Sequence, residues 1–130
     1  MSGPSSLRTP LARVRSLGSS HSGTRDFWWQ RVTAVAMTLL IVPVIVIVLI
    51  LLSSNHAGAG QILGQLPIAI ILLLFIIAST WHMKIGMQIV IEDYVHGEKT
   101  KLACVIANNF FSFAVALASI YAIVKLSSGV

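Results

Sequence analysis

Three apolar runs, each long enough to cross a lipid bilayer, constrain this chain more than any other feature. They cover about residues 30–52, 66–94 and 102–124. A helix rises ~1.5 Å per residue, so about 20 apolar residues span a hydrocarbon core of ~30 Å. Hydrocarbon offers no partner to a backbone N–H or C=O, so such runs must satisfy their own hydrogen bonds as helices. The expected fold is therefore an all-α membrane protein with three transmembrane helices. Composition agrees, since 56% of the 130 residues are hydrophobic and only 10% charged, a balance that suits lipid as the solvent.

Charge sets the expected topology. Arg8, Arg13, Arg15, Arg25 and Arg31 precede or enter the first run, the segment 53–65 carries no charge, Lys99 and Lys101 lie in the second connection, and Lys125 closes the third run. By the positive-inside rule the N-terminus and second connection lie inside, and the first connection and C-terminus outside. A net charge of +5 this one-sided reads as topology and gives no surface for nucleic acid. Residues 1–25 hold seven serines and four arginines with no acid, a composition expected to stay flexible or to lie on the membrane surface. The three-helix anchor domain then occupies residues 26–130. A cleaved signal is disfavoured because the run Ala34–Leu52 has 19 residues, longer than a signal h-region of ~7–15. Pro43 is expected to kink the first span, and Pro67 to sit in the first turn of the second. The segment 53–65 is read as a short external loop. The single cysteine, Cys104, allows no disulfide framework and reads as packing.

One stretch carries the chemistry: Trp81-His82-Met83-Lys84-Ile85-Gly86-Met87, continuing to Glu92-Asp93-Tyr94. An ionisable residue within a membrane helix is costly unless partnered, which makes His82 the foremost site candidate. Metal coordination is one reading of its ring, and a hydrogen bond to a neighbouring helix or a place facing a wet cavity is the other. Haem iron held by two histidines needs a second imidazole, yet His21, His56 and His96 fall outside the spans, so that ligand would come from another chain. Zinc is less suited, because no further ligand stands at metal-binding spacing. Gly86, one turn on, leaves room for something bulky. Asp93 is eleven residues from His82, within ~20° on the same helix face and ~16 Å along the axis.

At the inner end, the Tyr94 phenol with the adjacent Asp93 carboxylate suits a quinone, which needs hydrogen-bond donors and a route for protons. An interfacial tyrosine beside a solvated acid is the plainer alternative. Arg31 is either a snorkelling anchor or a contact to a haem propionate or quinone. Lys84 lies ~200° from His82 and is expected to face away from it. Asn108 and Asn109 read as hydrogen-bonding groups between helices. The sequence offers no nucleophile, paired carboxylates, phosphate loop or transporter-like repeat, so the chain is not expected to complete a reaction alone.

Asp26-Phe27, then Arg31-Val32-Thr33-Ala34, then His82 with Gly86-Met87 and Asp93-Tyr94, in a three-span layout over about residues 26–125, resembles the small hydrophobic membrane-anchor subunit of succinate dehydrogenase, the D type. The resemblance implies a complex of flavoprotein, iron–sulfur protein and two anchors, with haem b between this chain and a C-type anchor. It implies that His82 is an axial haem ligand and that Tyr94 hydrogen-bonds ubiquinone, with Asp93 and Arg31 near that pocket. It places the chain in a bacterial inner membrane, with the mitochondrial inner membrane as the alternative. The runner-up is a cofactor-free structural subunit of another membrane complex.

Overall fold

Each apolar run forms a helix, and the first and third helices extend past their hydrophobic limits. The computed structural model describes residues 21–128, which fold as α1 (His21–Leu52), a short α2 (His56–Leu63), α3 (Leu66–Tyr94) and α4 (Glu98–Ser128). The long helices have 32, 29 and 31 residues. At ~1.5 Å per residue each exceeds a ~30 Å core. All three are long and apolar enough to cross a membrane. The surplus gathers charge at one end, where α1 begins with Arg25 and Asp26, α3 finishes with Glu92 and Asp93, and α4 opens on Glu98.

The second run matches α3 at both limits, whereas α1 starts at His21 and so enters the segment expected to be flexible; residues 1–20 lie outside the described residues. Extending a helix adds one hydrogen bond per residue fixed, so α1 propagates through polar sequence that no hydrophobic pattern marks. Pro43 lies within α1, which continues through it. The segment 53–65, expected to be a loop, is a second departure, because it holds α2. Asn55 caps it, its Oδ1 accepting from the Gly58 N–H at 2.8 Å. Gly58 and Gly60 hide this helix from a propensity reading. Pro67 stands in the first turn of α3, where its missing N–H costs nothing.

α3 is the central element. It packs on α1 along one side and α4 along the other, while α1 and α4 do not touch among the described residues. The buried apolar residues are few, Ile47, Ala69, Ala78, Ile85 and Ile91, and the buried polar ones are Thr33, Asn108 and Ser112. Membrane helices have no solvent to drive them together, so small residues for close approach and polar groups for interhelical bonds do this work. Asn108 Nδ2 donates to the Lys84 C=O at 2.9 Å, tying α4 to α3. We expect Asn108→Ala to lower the stability of the three-helix unit by about 0.5–1.5 kcal/mol, measured by unfolding in mixed detergent. An unchanged midpoint would show that this bond adds nothing. Side chains such as Leu39, Phe110 and Phe113 are exposed and suit lipid or partner helices.

Candidate functional site

The site forms where the N-terminal part of α1 meets the C-terminal half of α3. Gln30 and Thr33 are three residues apart, so they share one face of α1, and that face meets His82. Thr33 is buried. Its hydroxyl donates to the Trp29 C=O at 2.7 Å, with the Gln30 C=O farther away at 3.2 Å. A hydroxyl has one proton and two lone pairs. With that proton directed to its own helix, Thr33 Oγ1 accepts from the His82 Nδ1–H at 3.0 Å. This arrangement belongs to the tautomer with its proton on Nδ1, which leaves a lone pair on Nε2.

Nε2 is held far more loosely. The Gln30 amide Nε2–H donates to it across 3.4 Å, beyond the usual 2.7–3.2 Å range and correspondingly weak. Gln30 Oε1 is buried with no hydrogen-bond partner among the described residues. An unpaired buried carbonyl oxygen is unfavourable, so this side chain gains by moving to a better-satisfied position. Gly86 lies beside it, and a Cβ there would meet Gln30 Nε2 at an ordinary contact distance of 3.5 Å. Trp29 and Trp81, the residues preceding Gln30 and His82, pack with ring centroids 6.0 Å apart and planes at 56°. The strut from α1 to the imidazole therefore has one firm contact and one easily broken.

Beside it, Arg25, Asp26, Trp29, Trp81, Lys84 and Gln88 line a polar cavity of ≈ 380 Å³. Two cations and one acid give it a net positive lining. On the other side of α3, a mainly apolar groove of ≈ 450 Å³ runs along α4, bounded by Ile77, Trp81, Lys84, Phe110 and Phe113. Lys84 borders both, its Nζ 5.4 Å from the centre of a Trp81 ring. Sequence spacing turned Lys84 away from His82 but gave no hint that Arg25 would come near it from α1.

The other expected residues are less assembled. Arg31 is exposed, stands 5.1 Å over the Phe27 ring of its own helix and lines neither cavity. Asp93 and Tyr94 are exposed at the end of α3, Tyr94 to 76%. Glu92, by contrast, is engaged: its Oε1 accepts from Gln88 Nε2 at 2.8 Å, and its backbone C=O from Lys101 Nζ at 2.9 Å. Asp93 and Tyr94 make no side-chain hydrogen bond among the described residues. They share the His82 helix but line neither cavity. His56 lies on α2 and His96 beyond α3, and no group of three or more metal-ligating side chains forms among the described residues. Gln30 and the hydroxyl role of Thr33 were missed by sequence reasoning; their three-residue spacing on the face of an otherwise apolar helix was the available signal.

A family model, the succinate dehydrogenase/fumarate reductase transmembrane subunit, matches residues 5–116. The chain belongs to this family. Among relatives of this anchor subunit, the succinate dehydrogenase hydrophobic membrane anchor subunit of Paracoccus denitrificans is 32% identical over 121 residues, covering 93% of each chain. The protein of the same name from Rickettsia bellii is 31% identical over 120 residues, covering 90% of this chain and 94% of its own. A succinate dehydrogenase membrane anchor subunit of Reclinomonas americana is 56% identical over a stretch of 25 residues, 19% of this chain. No solved structure matches the chain. Three apolar helices and family membership together make this succinate dehydrogenase anchor a multi-pass membrane protein.

Proposed function

We propose that the chain is the D-type anchor of succinate dehydrogenase, which provides His82 as one axial ligand to a haem b shared with a second, C-type anchor, and which contributes Tyr94 and Asp93 to the ubiquinone site. The observation that carries this reading is the asymmetric hold on His82, with Nδ1–H bonded at 3.0 Å and the Nε2 lone pair restrained only at 3.4 Å. A ligating imidazole is used in this state, its second nitrogen donating to a protein group. The residues fit the group once Gln30 swings aside, for which its unpartnered Oε1 gives a physical reason. Bound haem supplies one-electron chemistry, tuned by its axial ligands and their hydrogen bonds.

The chain's own residues then divide the work. Thr33 orients the ring, and the positive lining of Arg25 and Lys84 suits the carboxylates such a cofactor carries. Arg31 stands at the exposed mouth of α1, where it meets a haem propionate or quinone held jointly with partners. The Tyr94 phenol donates to a quinone carbonyl, and Asp93 beside it holds a proton at the aqueous edge. Electrons from succinate reach this edge through the flavoprotein and iron–sulfur subunits. The topology has the N-terminus inside and the C-terminus outside a bacterial inner membrane, supported by the Paracoccus and Rickettsia relatives.

A second reading has its own observation: both ring nitrogens of His82 have partners within this chain, as expected of a cofactor-free assembly subunit. The test is to purify the complex through this chain and record its reduced-minus-oxidised spectrum. A b-type haem band is expected, and a complex with all its subunits but no porphyrin would select the second reading.

A further inference from the structure

We infer that Thr33 is the positioning residue for the ligating imidazole, a hydroxyl on α1 that fixes both the tautomer and the ring orientation of His82 on α3. The inference rests on the haem reading above and adds to it. Thr33 is only 7% exposed and lies 49 residues from His82 in sequence, so the contact exists only because α1 and α3 pack. Burial alone does not call for this side chain. Valine has nearly the same shape and suits an apolar helix, but lacks the oxygen.

The direction of the bond follows from the proton count. Thr33 has one proton, and the 2.7 Å contact to the Trp29 C=O is the shorter of its two backbone contacts. Either backbone acceptor uses that proton, which leaves Oγ1 only able to accept from His82. Gln30 stands at the opposite nitrogen, its amide Nε2 3.4 Å from His82 Nε2. The two contacts differ in what ligation does to them: Gln30 occupies the coordinating nitrogen and must yield, whereas Thr33 stays. Trp29, which receives the Thr33 proton, also packs on Trp81, the residue preceding His82, so the same turn of α1 braces the ring from two directions.

The test compares Thr33→Val with Thr33→Ser in the purified complex, measuring haem loss to an excess of haem-free globin and the haem reduction potential. Removing such a partner typically weakens retention by about 10–100-fold, so Thr33→Val should lose haem that much more readily. Its potential should rise, because a ring without its N–H acceptor donates less charge to ferric iron. Thr33→Ser should stay close to wild type, and succinate oxidation with a soluble acceptor should be unchanged in both. An assembled Thr33→Val complex with wild-type retention and potential overturns the assignment while leaving His82 ligation intact. Wild-type complex without haem overturns this assignment together with the haem reading on which it rests. Should Thr33→Val fail to assemble, Thr33→Ala, which removes the hydroxyl with a smaller side chain, decides by the same two readouts: faster haem loss with a raised potential supports the assignment, and wild-type values overturn it.

Discussion

His82→Ala is expected to abolish the b-type haem signal of the complex, or to cut its haem content by more than about tenfold. Loss of a mere hydrogen-bonding partner of a ligating imidazole already costs about 10–100-fold in affinity, and loss of the ligand itself should cost more. The protein around it should survive. His82 is half-buried, its two contacts are one ordinary bond and one long one, and Asn108 and the small residues Ala69 and Ala78 hold α3 in place independently. Removing it leaves the Thr33 lone pair and the Gln30 amide to each other or to water, a cost of about 1–3 kcal/mol at most for a group left unsatisfied. Haem content should therefore collapse while the subunits still assemble. Haem retained at wild-type level in His82→Ala would remove this side chain from the coordination sphere.

Tyr94→Phe is the second large effect, and it should appear at the other end of the helix. The ring is 76% exposed, so its hydroxyl supports no internal contact and its loss should not disturb folding. A neutral hydrogen bond to a quinone carbonyl is worth about 0.5–1.5 kcal/mol, or roughly two- to tenfold in rate if it is made at the transition state. Quinone reduction should fall by that factor, while succinate oxidation by a soluble acceptor, which bypasses the membrane edge, should hold steady. Equal loss in both assays would mean misassembly, and no loss in either would take Tyr94 out of the quinone site. Haem content should be unchanged in this variant, because ~18 Å of helix separates Tyr94 from His82.

Helix limits were legible in the sequence where hydrophobicity alone set them and were lost where it did not. α3 begins and ends with its apolar run because Pro67 opens it and the charged Glu92-Asp93 pair closes it. α1 overshoots its run because its polar first turns carry no periodic pattern, and α2 was hidden by glycines that its Asn55 cap offsets. His82 stood out because a ring nitrogen among Ile, Met and Phe is chemically conspicuous. Its partners did not: Gln30 and Thr33 precede it by 52 and 49 residues, and no local rule pairs them before the helices are packed. The same holds for Arg25, which reaches the Lys84 cavity from another helix, while Arg31, the more prominent in the motif, turns outward over Phe27.

The most direct measurement is the low-temperature EPR spectrum of the oxidised, purified complex. Iron held between His82 and an imidazole of the second anchor predicts a low-spin ferric haem signal of the two-histidine type. A high-spin signal, or a spectrum with only iron–sulfur and flavin features, would contradict the shared coordination on which the account depends.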